Sequence, residues 1–149
     1  MKLGGEVFPA FQPYNKPTYE IHVSGCTRNC KGCHNYALHD FNYGEEINLN
    51  EYFKKLKKRA KLYEAVCIMG GDLLCQDTIE AMDFVKMLKV TLSNKELWLF
   101  TGEDDINSIP RWAKETFDYI KIGHYDEDLK QEGFPASSNQ KLLQMGVDY

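Results

Sequence analysis

The chain has 149 residues, 43% of them hydrophobic and 27% charged, with a formal net charge of −4. That length suits one domain, residues 1–149, with a core of its own. The acidic balance argues against a nucleic-acid binder held by phosphate contacts. The longest apolar runs are far too short for a membrane span, and Met1-Lys2-Leu3-Gly4-Gly5-Glu6 has no apolar leader region. Five cysteines, an odd count, fit a reducing cytoplasm rather than a disulfide framework.

Residues 1–17 carry Pro9, Pro13 and Pro17 among Phe8, Phe11 and Tyr14, which predicts an extended N-terminal arm that packs by its aromatics. The alternation of Tyr19-Glu20-Ile21-His22-Val23 predicts a strand. An irregular turn is expected over Tyr36 to Gly44. A helix then runs from a cap at Asn48 or Asn50 through Glu64, burying Leu49, Tyr52, Phe53, Leu56, Ala60 and Tyr63. Its basic run, Lys54 to Lys61, reads as a solvated outer face. Ala65 to Met69 is apolar on both faces and suits a buried parallel strand ending in Gly70-Gly71-Asp72. Asp77 caps a helix to Leu92, with Ile79, Met82, Val85, Met87 and Leu88 as its buried stripe. Leu97 to Thr101 is the next strand. Residues 104–117 read as a helix with Pro110 in a first-turn position, and Asp118 to Gly123 as a further strand. The tail from Gly133 to Tyr149 has no clear assignment. Strand and helix alternate, so the expected class is α/β with a mainly parallel, curved sheet. Four or five such units are too few for a closed eight-stranded barrel, so an open partial barrel is expected.

The chemistry concentrates in Ser24 to Asn35, SGCTRNCKGCHN, where Cys26, Cys30 and Cys33 are spaced C-x3-C-x2-C. Three thiolates leave a four-coordinate site open. Four readings fit the residues. One is a 4Fe-4S cluster with three cysteine ligands; another is zinc closed by His34. The third is haem attachment at Cys30-Lys31-Gly32-Cys33-His34, and the fourth a redox pair at Cys30 and Cys33. Three cysteines that merely pack form the bland alternative. Cys67 and Cys75 lack cluster spacing and read as structural thiols. Gly70-Gly71-Asp72 and Thr101-Gly102 fall, like the cysteine loop, at carboxyl ends of strands, where α/β folds gather ligands. As a lone motif, Gly-Gly-Asp is equally a plain strand-to-helix turn, and Thr101 an ordinary strand-end threonine.

The cysteine spacing after the first predicted strand, with His34-Asn35 behind the third cysteine, resembles the radical S-adenosylmethionine superfamily. Leu97-Trp98-Leu99-Phe100-Thr101-Gly102 and Ser138-Asn139-Gln140-Lys141-Leu142 resemble the activating component of anaerobic ribonucleotide reductases. The resemblance implies an oxidoreductase with a 4Fe-4S cluster on Cys26, Cys30 and Cys33 and S-adenosylmethionine bound near His34, Gly70, Gly71, Asp72 and Thr101. It implies reductive cleavage of that cofactor to a 5′-deoxyadenosyl radical and a glycyl radical on the partner reductase large subunit, with a reductant such as flavodoxin. No nucleic acid or membrane partner is implied. The family usually has Gly-Gly-Glu-Pro where this chain has Gly70-Gly71-Asp72-Leu73, and often Asp-Gly where this chain has Ile122-Gly123. Another radical S-adenosylmethionine reaction, or a structural zinc protein that binds a partner, are the alternatives.

Overall fold

A computed structural model describes residues 1–149. Seven strands form one open sheet in the order β3-β1-β2-β4-β5-β6-β7. They are β1 (Lys2–Ala10), β2 (Thr18–Val23), β3 (Glu45–Glu46), β4 (Ala65–Gly70), β5 (Glu96–Phe100), β6 (Tyr119–Ile122) and β7 (Lys141–Gln144). The helices are α1 (Leu49–Lys58), α2 (Thr78–Thr91) and the single turn α3 (Arg111–Lys114). The centre, β2-β4-β5-β6, is parallel throughout, so Val23, Gly70, Phe100 and Ile122 end on one rim. Antiparallel strands flank it on both sides, β1 with β3 at one margin and β7 at the other. None of the helices is long and apolar enough to cross a membrane.

Alternation sorts the central strands into two faces. Tyr19, Ile21, Val66, Ile68, Leu97, Leu99, Ile120 and Ile122 point to the helices and join one apolar core. Phe84 of α2 meets Phe53 of α1 at a ring separation of 5.4 Å and Tyr52 at 6.4 Å. The alternate residues face the other way. There Tyr14 fills the amino end of the strands edge-on to Trp98, with Ala65 and Cys67 beneath it. The Tyr14 hydroxyl donates to Glu20 at 2.9 Å. Burial, with Cys67 and Glu20 alongside, pushes that hydroxyl well above its ordinary range, so it stays a donor.

Several expectations change in detail. Most of the predicted arm is a strand: β1 pairs with β2 along its length, and Phe8 stacks on Tyr19 at 5.0 Å. Glu6 on β1 accepts from Lys55 of α1 and from the Tyr19 hydroxyl, which ties the margin to the core. Helix α1 stops at Lys58, where the backbone tightens into a short 3₁₀ turn, Ala60–Leu62, that still delivers Tyr63 to the core. Asp77 caps α2 as expected, accepting from Glu80 N. The buried stripe of α2 is Ala81, Phe84, Val85 and Leu88, while Ile79 is 71% exposed and Met82 44% exposed. Spacing alone admits either stripe, and the bulk of Phe84 decides between them. The helix expected over 104–117 shrinks to a 3₁₀ turn and α3, because Pro110 stands at the cap and interrupts the ladder. The unassigned tail supplies β7.

Candidate metal centre

The rim where the parallel strands end carries an open cavity of about 910 Å³ including its mouth. Cys26, Cys30, Cys33, His34, Gly70, Gly71, Asp72 and Thr101 all line it. Every site residue expected from the sequence is therefore in one place. Cys26, Cys30 and Cys33 are half-buried, whereas His34 is exposed and tilts against Tyr125 at 4.9 Å between rings.

Two glycines explain how the loops meet. A Cβ on Gly71 would stand 2.5 Å from Gly25 O and 2.8 Å from Leu38 O. The Gly-Gly turn is thus packed against the cysteine loop, and Gly71 N and Asp72 N donate to Val23 O and Gly25 O at 2.7 and 3.0 Å. A Cβ on Gly102 would meet Arg28 Cδ at 2.4 Å, so Arg28 lies flat across the end of β5.

Asp72 is the hub of these contacts. It is 1% exposed. One carboxylate oxygen accepts from Thr101 Oγ1 at 2.8 Å, Gly102 N at 2.9 Å and Arg28 Nε at 3.1 Å. The other accepts from Leu74 N at 3.0 Å. Arg28 also donates to Glu103 at 3.3 Å. A carboxylate has about four acceptor sites, and here the same number of donors fills them. Asp72 and Thr101 therefore spend their polar groups on binding the cysteine loop to the ends of β4 and β5.

Four further residues of the wall, Arg28, Lys121, Tyr125 and Gln140, were not singled out for it by sequence reasoning. Arg28 sits inside the C-x3-C spacing, a position that no pattern in the sequence singles out. Lys121 alternates with Ile120 and Ile122 on β6 and so faces the cavity, with its ammonium 5.3 Å over the Phe100 ring. Burial pushes the Lys121 ammonium below its ordinary value, opposed by Asp72, Cys67, Cys30 and Cys33. Tyr125 follows β6. Gln140, 7% exposed, donates to Gly123 O at 2.9 Å and accepts from Ser137 N at 3.2 Å. Asn139 donates to His124 O at 2.9 Å. The Asn139-Gln140 pair, visible in the sequence without a role, pins the tail across the end of β6. Ile122 turns into the core, so the side chain before Gly123 points away from the cavity.

The donor set fits a 4Fe-4S cluster. Three thiols line a cavity whose other lining residues offer backbone, the cations Arg28 and Lys121, the already paired Asp72 and aromatic edges. A fourth thiol, Cys75, stands behind Cys26 and outside the cavity; its Sγ, the Cys26 Sγ and an Asp72 oxygen lie within 4.8 Å of one another. The contact between the two thiols raises the pKa of Cys26 and lowers that of Cys75.

A family model described as a 4Fe-4S single cluster domain matches residues 18–143. The chain is similar to anaerobic ribonucleoside-triphosphate reductase-activating proteins from several sources. That of Enterobacteria phage T4 is 27% identical over 130 residues, covering 82% of this chain and 80% of the phage protein. That of Haemophilus influenzae is 30% identical over 120 residues, covering 78% and 77%. That of Escherichia coli K12 is 24% identical over 128 residues, covering 80% and 83%.

Proposed function

The chain belongs to the 4Fe-4S single cluster domain family, and we propose that within it this protein is the activating enzyme of an anaerobic ribonucleotide reductase. Relatives at 24–30% identity bear that name. The observation that carries the reading is the convergence of Cys26, Cys30 and Cys33 with three strand-end loops on one cavity. In this reading the open sheet is the partial barrel of radical S-adenosylmethionine enzymes, formed by one domain across residues 1–149 in the cytoplasm. When bound, the cluster supplies one electron, drawn from a reductant such as flavodoxin, to the sulfonium of S-adenosylmethionine, giving methionine and a 5′-deoxyadenosyl radical that takes hydrogen from a glycine of the reductase.

The chain's own residues hold and orient. Cys26, Cys30 and Cys33 would hold the cluster, and three thiolates would leave it a position open to the cofactor. The Gly70-Gly71 backbone would offer an edge of the cavity to the methionyl part. Lys121 supplies positive charge opposite the methionyl carboxylate. His34 and Tyr125 offer ring faces to the adenine. Asp72, Thr101 and Arg28 act through position, by keeping the cysteine loop in register with β4 and β5. Gln140 closes the side wall against water.

The test mixes anaerobically reconstituted protein, the reductase large subunit, S-adenosylmethionine and a reductant. The expected result is a glycyl radical on the reductase, seen by electron paramagnetic resonance and absent without the cofactor. Efficient modification of a small molecule without the reductase would overturn the reading.

A further inference from the structure

Cys75 has no part in the site described above, yet it stands against one of the three cluster ligands. The Sγ atoms of Cys26 and Cys75 are within 4.8 Å of each other, and the Thr27 hydroxyl is 3.4 Å from Cys75 Sγ. The backbone holds this pairing in place. Gln76, next to Cys75, donates through Nε2 to Ser24 O, Gly25 O and Asp72 O, each at 3.0 Å. Asp72 N donates to Gly25 O at 3.0 Å. The residues beside each cysteine are thus hydrogen-bonded to one another, which holds the two thiols as neighbours. Both thiols are half-buried rather than sealed in the core.

We propose that Cys26 and Cys75 form an intrachain disulfide when the cluster is absent, with oxidised glutathione as the oxidant. One thiolate attacks a sulfur of oxidised glutathione, and one glutathione thiolate leaves. The other cysteine attacks the resulting mixed disulfide and expels the second glutathione. Two cysteine thiols are oxidised, one glutathione disulfide is reduced, and the two protons leave on two molecules of glutathione. The bond withdraws Cys26 from the metal centre, so a chain that has lost its cluster to oxygen cannot reload until a dithiol reopens it. That consequence rests on the cluster reading; the disulfide itself does not.

The experiment uses full-length, cluster-free protein, reduced, freed of reductant and exposed to oxidised glutathione without oxygen. Free thiols are alkylated and the peptides mapped by mass spectrometry. The expected product joins the Cys26 and Cys75 peptides, with Cys30, Cys33 and Cys67 alkylated after unfolding. Iron uptake on reconstitution falls several-fold and returns after dithiothreitol. The Cys75→Ser chain, checked for wild-type circular dichroism, takes up iron equally with or without prior glutathione disulfide. A dominant Cys30–Cys33 bond, or stable glutathione adducts in place of the intrachain bond, overturns the proposal. So does a Cys75→Ser chain that is blocked as fully as wild type. Should the Cys26–Cys75 bond map cleanly while the reduced chain takes up no iron, the disulfide stands and the cluster reading fails.

Discussion

Tyr19, Ile21, Val66, Ile68, Leu99 and Ile120 stand on one face of the central strands, and Glu20, His22, Cys67, Met69, Phe100 and Lys121 on the other. The first set is fully buried, under the helices and, at Tyr19, under Phe8 and Tyr63. The second is sealed by Tyr14 and Trp98 at the amino end and left open at the carboxyl end. Neighbours in sequence thus answer to different physics. Apolar burial stabilises the first face at about 25 cal/mol per Å² of apolar surface. On the second, the buried carboxylate of Asp72 is tolerated because four donors satisfy it. One face carries the stability of the fold, and the rim of the other carries its chemistry.

The largest expected effect separates the two regions outright. Changing Cys26, Cys30 or Cys33 singly to Ser should reduce glycyl-radical formation to background, while the variant, although it has lost its cluster, keeps the circular dichroism of a folded chain. Loss of the folded state on removing one thiol would instead mean a structural metal site. The reverse experiment is Phe84→Ala, which should cost about 3–5 kcal/mol in chemical denaturation. Iron bound per folded molecule should stay the same.

Asp72→Ala strikes the seam between the regions. It leaves Arg28 with Glu103 alone and Thr101 without its acceptor, for an expected cost of about 3 kcal/mol. Cluster retention should fall as well, because the cysteine loop loses its tie to β5. Arg28→Ala should cost about 1 kcal/mol, since Asp72 keeps its other donors. A stable Asp72→Ala protein with normal cluster retention would show that the loop is held by its glycine contacts alone. Lys121→Met should weaken S-adenosylmethionine binding about tenfold, near 1.4 kcal/mol, with iron content unchanged. Equilibrium binding to the reconstituted variant checks this.

The smallest effect lies at the sheet margin. Burial raises the Glu6 carboxyl, but hydrogen bonds led by Lys55 and joined by Tyr19 outweigh it and hold the pKa below its ordinary value. A depressed carboxylate adds stability that is complete above the unfolded value and is lost as the pH falls through the folded one. Denaturation midpoints should therefore drop on acidification through that window, and more steeply in wild type than in Glu6→Gln. Equal slopes would remove Glu6 from the account.

What the sequence disclosed follows the same division. The parallel strands were legible because Ala65 to Met69 and Leu97 to Thr101 are short apolar runs bounded by turn residues. The site was legible because cysteine spacing survives any folding of the loop that carries it. The alternation of Tyr119, Ile120, Lys121 and Ile122 also held the inward lysine in plain view, hidden only by the habit of reading lysine as solvated. Other features depend on contacts between distant segments. The pairing of β1 with β2, the tail strand β7 and the approach of Cys75 to Cys26 leave no local periodicity. Pro110 misled because a first-turn proline and a helix-stopping proline look alike until packing chooses.

The central claim is that Cys26, Cys30 and Cys33 hold a cluster with one open iron facing the cavity. Low-temperature electron paramagnetic resonance of the anaerobically reconstituted, dithionite-reduced protein tests it most directly, with and without S-adenosylmethionine. The account predicts a reduced 4Fe-4S signal whose shape changes when the cofactor is added. Absence of iron uptake together with tightly held zinc would contradict it.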